Sequence, residues 1–288
     1  LPKAGDDPFA VNLEMDLADA LYESADSRPE AVAAYLKIAT GHPQHELAAQ
    51  ALYNAAFGAL ELGQYDEALK HTAAFLKAFP EHRLAPDVQY VSAECHLQRG
   101  EHPQAEKLYA KLAESATDHP DRETWQVRRG LAIYLQKKYG DAVAALEPTV
   151  AELKNADNQA QAQFVLGVSH FYLDQFDGAV QALQAAMKAN PKWKQADEAM
   201  LFLARAGRKR DRPPEALSRL SQLITDFPNS RLLDQAHYRF GEFSYAAGDY
   251  KTAIAEYDAV VAADAKSPFA PYALYGKGWA QLKNKAYP

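Results

Sequence analysis

The chain has 288 residues, 48% of them hydrophobic and 24% charged, with a formal net charge of −7. That balance describes a globular rather than a disordered chain. It argues against a broad nucleic-acid surface, and no run of about 18 or more apolar residues exists to insert this segment into a membrane. The single cysteine, Cys95, excludes an internal disulfide and fits either the cytoplasm or an envelope protein that avoids cysteine.

Alanine recurs at Ala31, Ala68, Ala105, Ala142, Ala179, Ala216 and Ala253, each 37 residues after the last. A period of this size marks one supersecondary unit copied along the chain, which removes the reading as two ordinary domains. In chain order, residues 1–8 form an N-terminal tail and 9–45 a divergent first repeat. Repeats then follow over 46–82, 83–119, 120–156, 157–193, 194–230 and 231–267, with the first helix of a truncated eighth over 268–288. The chain opens at Leu1 with no signal-peptide apolar stretch, so an upstream part is expected to be cleaved or left off.

The first repeat opens at Asp7-Pro8, an N-cap followed by proline at the first helical position, and its helix is expected to turn Leu13, Leu17 and Leu21 inward. Asp16 and Asp19 break the pattern of the later units, as in a polar terminal cap. In the last complete unit, Tyr238, Phe240, Gly241, Phe243 and Tyr245 crowd one helical stretch. "AAGDY" breaks it, and Ala253, Tyr257, Val260 and Val261 resume at helical spacing. Strand and hairpin signals are absent, so the unit is helix, tight turn, helix.

Several phases support the period independently. Twelve residues before the anchor alanine stand Ala56, Ala93, Gly130, Gly167, Ala204, Gly241 and Gly278, small enough for the two helices to meet closely opposite that alanine. Four after it come Tyr35, Tyr109, Leu146, Leu183, Leu220 and Tyr257, expected to fill the seam to the next hairpin, with Thr72 as the exception. Three before it, Tyr65, Tyr139, Phe176 and Tyr250 are aromatic pegs at the turn. Proline opens second helices at Pro29, Pro103, Pro214 and Pro288, and stops them at Pro43, Pro80, Pro191 and Pro228.

A small residue, then "GDY..A...Y" and a closing proline, resembles the tetratricopeptide repeat, usually about 34 residues long. The resemblance covers Phe9 to Pro288 and implies an all-α, right-handed solenoid of helical hairpins. The usual tryptophan of the first helix is replaced by Gln89, Gln126, Gln163 and His237, with the aromatic shifted one place on. That variant resembles repeats of bacterial cell-envelope proteins, including the Tol-Pal-associated periplasmic protein and outer-membrane assembly lipoproteins, and also scaffolds of exopolysaccharide secretion. It implies a periplasmic or envelope location, with the cytoplasm as the alternative.

Catalytic patterns are missing. None of the nine histidines stands in HExxH, and the sequence holds neither a paired-cysteine nor an acid-rich calcium loop, so no metal or cofactor is expected. His96 and His170, nine before the anchor, are expected to pack between helices, and Cys95 to be a small buried residue rather than a nucleophile. The run Arg205 to Arg212, "RAGRKRDR", reads either as a solvated turn or as an anion-binding patch.

In the resembling family, the phases fifteen and eleven before the anchor line a concave groove that holds a partner. Carried onto this chain, with the neighbouring phase of Tyr134 and Arg208, that points to Tyr90, Tyr134, Phe164, Arg205, Arg208, Tyr238, Glu242, Tyr275 and Trp279 as a partner-binding face. The expected function is a non-catalytic scaffold for a protein or peptide ligand. The alternatives are a polysaccharide-secretion scaffold and the docking segment of a larger enzyme. Tyr272, Leu274, Tyr275 and Trp279 lack a covering second helix, so self-association through this end is a further expectation.

Overall fold

The computed structural model describes residues 8–285 apart from 116; Asp7 and Pro288, read above as helix-opening residues, lie outside them. Among the described residues the chain is all α: α1 Pro8–Tyr22, α2 Arg28–Gly41, α3 Ala48–Glu61, α4 Tyr65–Ala78, α5 Ala85–Gln98, α6 His102–Ser115, α7 Arg122–Leu135, α8 Tyr139–Leu146, α9 Ala156–Tyr172, α10 Phe176–Ala189, α11 Ala196–Lys209, α12 Pro213–Asp226, α13 Leu233–Ala246, α14 Tyr250–Ala263 and α15 Ala270–Lys283. The helices form two compact units, one up to Lys137 and one from Lys138 on. Second helices start at Arg28, Tyr65, His102, Tyr139, Phe176, Pro213 and Tyr250, a constant step of 37 residues.

The step comes from a backbone device that the residue types half conceal. Gly63, Gly100, Lys137, Asp174, Asp211, Gly248 and Lys285 all have φ between 53° and 83° and stand 37 residues apart. Each ends a first helix in the left-handed conformation, which lets the chain reverse in two or three residues. Gly248 N–H donates to Tyr245 O at 3.0 Å and Asp249 N–H to Ser244 O at 2.9 Å. Only three of the seven are glycine, so pattern matching for glycine misses the other four turns.

Within a hairpin the helices meet where a small residue faces a large one. A Cβ added at Gly167 would lie 2.6 Å from Leu183 Cγ and 3.1 Å from its backbone nitrogen; one added at Gly241 would lie 2.6 Å from the Tyr257 ring. The small phase therefore receives the large residue four after the anchor, and not the anchor alanine as expected. That alanine is met by the phase nine before it: Gly207 would bring a Cβ within 3.5–3.6 Å of Ala216. Tyr257 also fills the seam to the next hairpin as expected, since it presses on Gly276 of the following helix.

Successive hairpins are tied by polar pairs 33 residues apart. Arg210 donates to Asp177 and Asn190 to Asp157, each at 2.6 Å; Arg99 pairs with Asp66, Ser230 with Asp197 and Ser267 with Asp234. His45, His82 and His119, one period apart, each accept a backbone N–H two residues on at 3.2 Å through Nδ1. His170 packs between helices as expected, its ring 3.3–3.4 Å from where a Cβ at Gly178 of α10 would lie. The Nδ1 atoms of His96 and His170 also meet Glu101 at 2.5 Å and Gln175 at 2.6 Å across the turn.

Two helices depart from the pattern. In α1 the buried residues are Val11, Met15 and Ala18, while Leu13 and Leu17 are 55% and 60% exposed. The first stripe follows the i, i+4, i+7 face that packs on α2, so of the expected inward leucines Leu21 packs against that core while Leu13 and Leu17 point outward, and the outer face is not polar. The fourth second helix, α8, spans only 8 residues because Pro148 cannot continue it. A 3₁₀ turn at Val150–Glu152 follows, and Asn155 then opens α9 early by accepting N–H bonds from Asp157 and Asn158 at 2.9 and 3.0 Å.

The crowded glycine and the strained turn predict opposite signs. Gly167→Ala should lower stability by about 1–3 kcal/mol through overpacking against Leu183. Lys137→Gly should raise it by up to about 1 kcal/mol by relieving a left-handed lysine. Urea denaturation of both variants measures this; equal midpoints would remove both assignments.

Candidate functional site

The last three helices bring the largest group of the expected binding residues into one place. Ser267 accepts the Phe269 N–H at 3.0 Å and bonds Asp234 in the first turn of α13, which pins the start of α15 beside α13. Asp249 accepts the Thr252 N–H at 3.0 Å and opens α14. Between α13 and α15, over α14, lies a pocket of about 550 Å³ lined by Tyr238, Glu242, Tyr245, Tyr257, Tyr272, Tyr275, Gly276 and Trp279.

Its floor is the Tyr257 ring, admitted by Gly241 on one side and Gly276 on the other. Tyr238 stacks on Phe269 with centroids 5.3 Å apart and lies 6.4 Å from Tyr272. Tyr275 and Trp279 meet edge to face at 6.2 Å on the outer wall and are 70% and 44% exposed. Glu242 accepts the Tyr238 hydroxyl through Oε1 at 3.1 Å and an Arg239 N–H through Oε2 at 2.6 Å, and the Arg239 guanidinium lies 5.5 Å from the Tyr238 ring centre. Burial, with Glu242 second, pushes the Tyr257 hydroxyl up to about 12; the same two causes raise Tyr238. Both phenols are neutral at ordinary pH, and Glu242 is the one carboxyl group of the lining.

Four of the nine expected residues, Tyr238, Glu242, Tyr275 and Trp279, thus share the pocket. Tyr245, Tyr257 and Tyr272 were not singled out as binding residues. Tyr245 and Tyr257 already stood out in the sequence as the aromatics around "AAGDY", and the pairing of α13 with α15 was the missing information. Phe164 has another role: it is 2% exposed, with Trp193 at 5.4 Å and Phe202 at 6.4 Å, and is core rather than a contact surface. Arg205 is half-buried with its guanidinium 4.6 Å from both the Phe171 and Phe202 rings, so it packs on aromatics. Arg208 lies 3.7 Å from Asp211, and Arg210 bonds Asp177. The basic run therefore resolves into separate local contacts, none of them on the tyrosine pocket.

Tyr90 and Tyr134 belong to the first unit. Tyr90 is half-buried beside a core ion pair: Glu94, 6% exposed, accepts the Tyr109 hydroxyl at 2.6 Å and an Arg128 N–H at 3.0 Å. A charge at the groove phase is thus used for packing here, contrary to the expectation that such charges serve a partner. Cys95 is fully buried, and desolvation pushes its thiol up to about 12, so it is no nucleophile. Asp87, His119 and Asp121 bring possible ligand atoms within 4.8 Å of one another. His119, however, uses Nδ1 for the Asp121 N–H and stacks on Trp125 at 4.5 Å, the turn-closing task it shares with His45 and His82.

Alkaline pH should expose the buried phenols and thiol. Tyr90 and Tyr257 ionise near 12 in the fold against an ordinary 10.0, and Cys95 near 12 against 9.0. Because the folded chain holds these protons more tightly than the unfolded one, their contribution is complete below the ordinary values and is lost as pH rises toward 12. Thermal melts should hold level to about pH 9 and fall steeply above it. A flat profile to pH 12 would contradict the burial.

Tetratricopeptide-repeat family patterns match residues 59–126, 164–231 and 236–288, together about two thirds of the chain. No curated protein matches the sequence. Among solved structures, a tetratricopeptide repeat protein from Parabacteroides merdae is 12% identical over 93% of this chain and 98% of its own, with a TM-score of 0.63. The C-terminal part of a repeat-containing protein from Cytophaga hutchinsonii is 16% identical over 90% and 99%, at 0.66. PilW, a type IV pilus biogenesis factor, is 16% identical over 77% and 96%, at 0.61. At these identities the likeness is one of fold. With repeat phases, all-helical hairpins and family matches in agreement, the chain belongs to the tetratricopeptide-repeat family.

Proposed function

We propose that the chain is a non-catalytic scaffold that holds a protein or peptide partner on the face built by its first helices, within a bacterial cell-envelope complex. The observation that carries the reading is the pocket between α13 and α15. It is a concave site walled by five tyrosines and a tryptophan, with exposed aromatic edges and one carboxylate. Large rigid aromatics with polar tips bury much area at small entropic cost, which is why they dominate protein contact sites. The envelope assignment draws on the repeat variant, with its displaced first-helix aromatic.

The double variant Tyr275→Ala, Trp279→Ala tests the binding face. Both side chains are exposed, so helicity should be kept while affinity for a partner captured by the wild-type chain falls by about tenfold or more. The captured partner should be an envelope protein. Undiminished binding by the variant would move the site elsewhere, and a cytoplasmic partner would replace the compartment.

A further inference from the structure

The chemistry of the aromatic pocket narrows what it can hold. Its walls are the side chains of Tyr238, Tyr245, Tyr257, Tyr272, Tyr275 and Trp279, each ring with a negative π surface, and its one acidic group is the Glu242 carboxylate. An anion would be repelled by the ring π surfaces and by the Glu242 carboxylate, with only phenol hydroxyls and one indole N–H to donate to it. A purely aliphatic side chain would cover phenol hydroxyls and a carboxylate without replacing their water, which costs free energy. A guanidinium or ammonium satisfies both the ring faces and the acid.

The protein already makes this contact with its own arginines. Arg239 lies over the Tyr238 ring while bonding Glu242, and Arg205 sits over two phenylalanine rings. Arg239 occupies the Tyr238 end and is not part of the pocket lining, so the faces of Tyr272, Tyr275 and Trp279 remain open to a second cation. Glu242 has accepting capacity left, since each oxygen takes one of the two bonds it can hold. The equivalent seam is closed in preceding repeats, where Leu201 and Phe164, at the phase of Tyr238, are 3% and 2% exposed.

We propose that this pocket takes a cationic side chain, an arginine or lysine presented by a partner peptide, between the Tyr272, Tyr275 and Trp279 rings and the Glu242 carboxylate. The proposal rests on the peptide-binding reading of the same site and adds the chemistry of the residue that enters.

The test uses the full 288-residue chain and three acetylated, amidated pentapeptides, Gly-Ser-X-Ser-Gly, with arginine, citrulline or leucine at X. Binding is followed by the NMR shift of the Trp279 indole N–H. The arginine peptide should bind at least about tenfold more tightly than the citrulline peptide, and more weakly as salt is added. Glu242→Gln keeps an acceptor for Tyr238 but removes the charge, and should erase the arginine preference; Tyr272→Leu should do the same by removing a ring while leaving the Trp279 reporter in place. Equal binding of arginine and citrulline peptides, or a preference untouched by both variants, would overturn the cation assignment. A leucine peptide that binds best would overturn it while leaving the peptide groove standing. No response of Trp279 to any of the three would remove both readings of this pocket. Circular dichroism of both variants establishes that a lost preference is not a lost fold.

Discussion

The close approach of a first helix to its partner, small residue against large, is the constraint on which the rest of the structure depends. Glycine in a helix costs about 1 kcal/mol relative to alanine, yet Gly167, Gly241 and Gly276 sit inside helices. At each, a single added carbon would collide with Leu183 or Tyr257. The contact that offsets the cost is packing of a whole leucine or tyrosine against bare backbone. Tyr257 does this on both sides at once, holding α13 and α15 at the spacing of one ring. That spacing is also what opens the tyrosine pocket, so the feature that stabilises the seam shapes the site.

Turns and polar pairs maintain the repeat without adding core. From α3 on, a left-handed residue every 37 positions sets where each first helix stops, whether glycine, lysine or aspartate occupies it. Pairs such as Asp177–Arg210 and Asp157–Asn190 then fasten one hairpin to the next at their ends. Exposed pairs of this kind each contribute about 0–1 kcal/mol, so their value lies in register more than in stability. Where a residue disrupts the unit, as Pro148 does to α8, the array absorbs the defect locally. A 3₁₀ turn and an early N-cap at Asn155 return the chain to phase by Phe176, where α10 begins.

Equivalent positions in a repeat do not carry equivalent roles. Glu94, Arg205 and Glu242 share one phase. The first is buried against Arg128 and Tyr109, the second lies over two phenylalanine rings, and the third faces an open aromatic pocket. In each case the neighbours on adjacent helices decide which role the charge takes. A binding face inferred from phase alone therefore combines core residues such as Phe164 with surface residues such as Tyr275, which differ from 2% to 70% in exposure.

The sequence by itself determined the class of fold, the helical hairpin, its period and the places where second helices open. Those features are local: small residues, aromatics and prolines recurring at one spacing dictate helix, turn and helix wherever they occur. It also marked Tyr238, Glu242, Tyr275 and Trp279, because their phase is a property of position along the chain. Other assignments depended on which surfaces meet. The inward face of α1, the burial of Phe164, the dispersal of the Arg205–Arg212 run and the entry of Tyr245, Tyr257 and Tyr272 into one pocket were decided by tertiary structure. Periodicity reports which residues share a helix face. Only packing decides whether a neighbouring helix covers that face, pairs its charges or leaves it open.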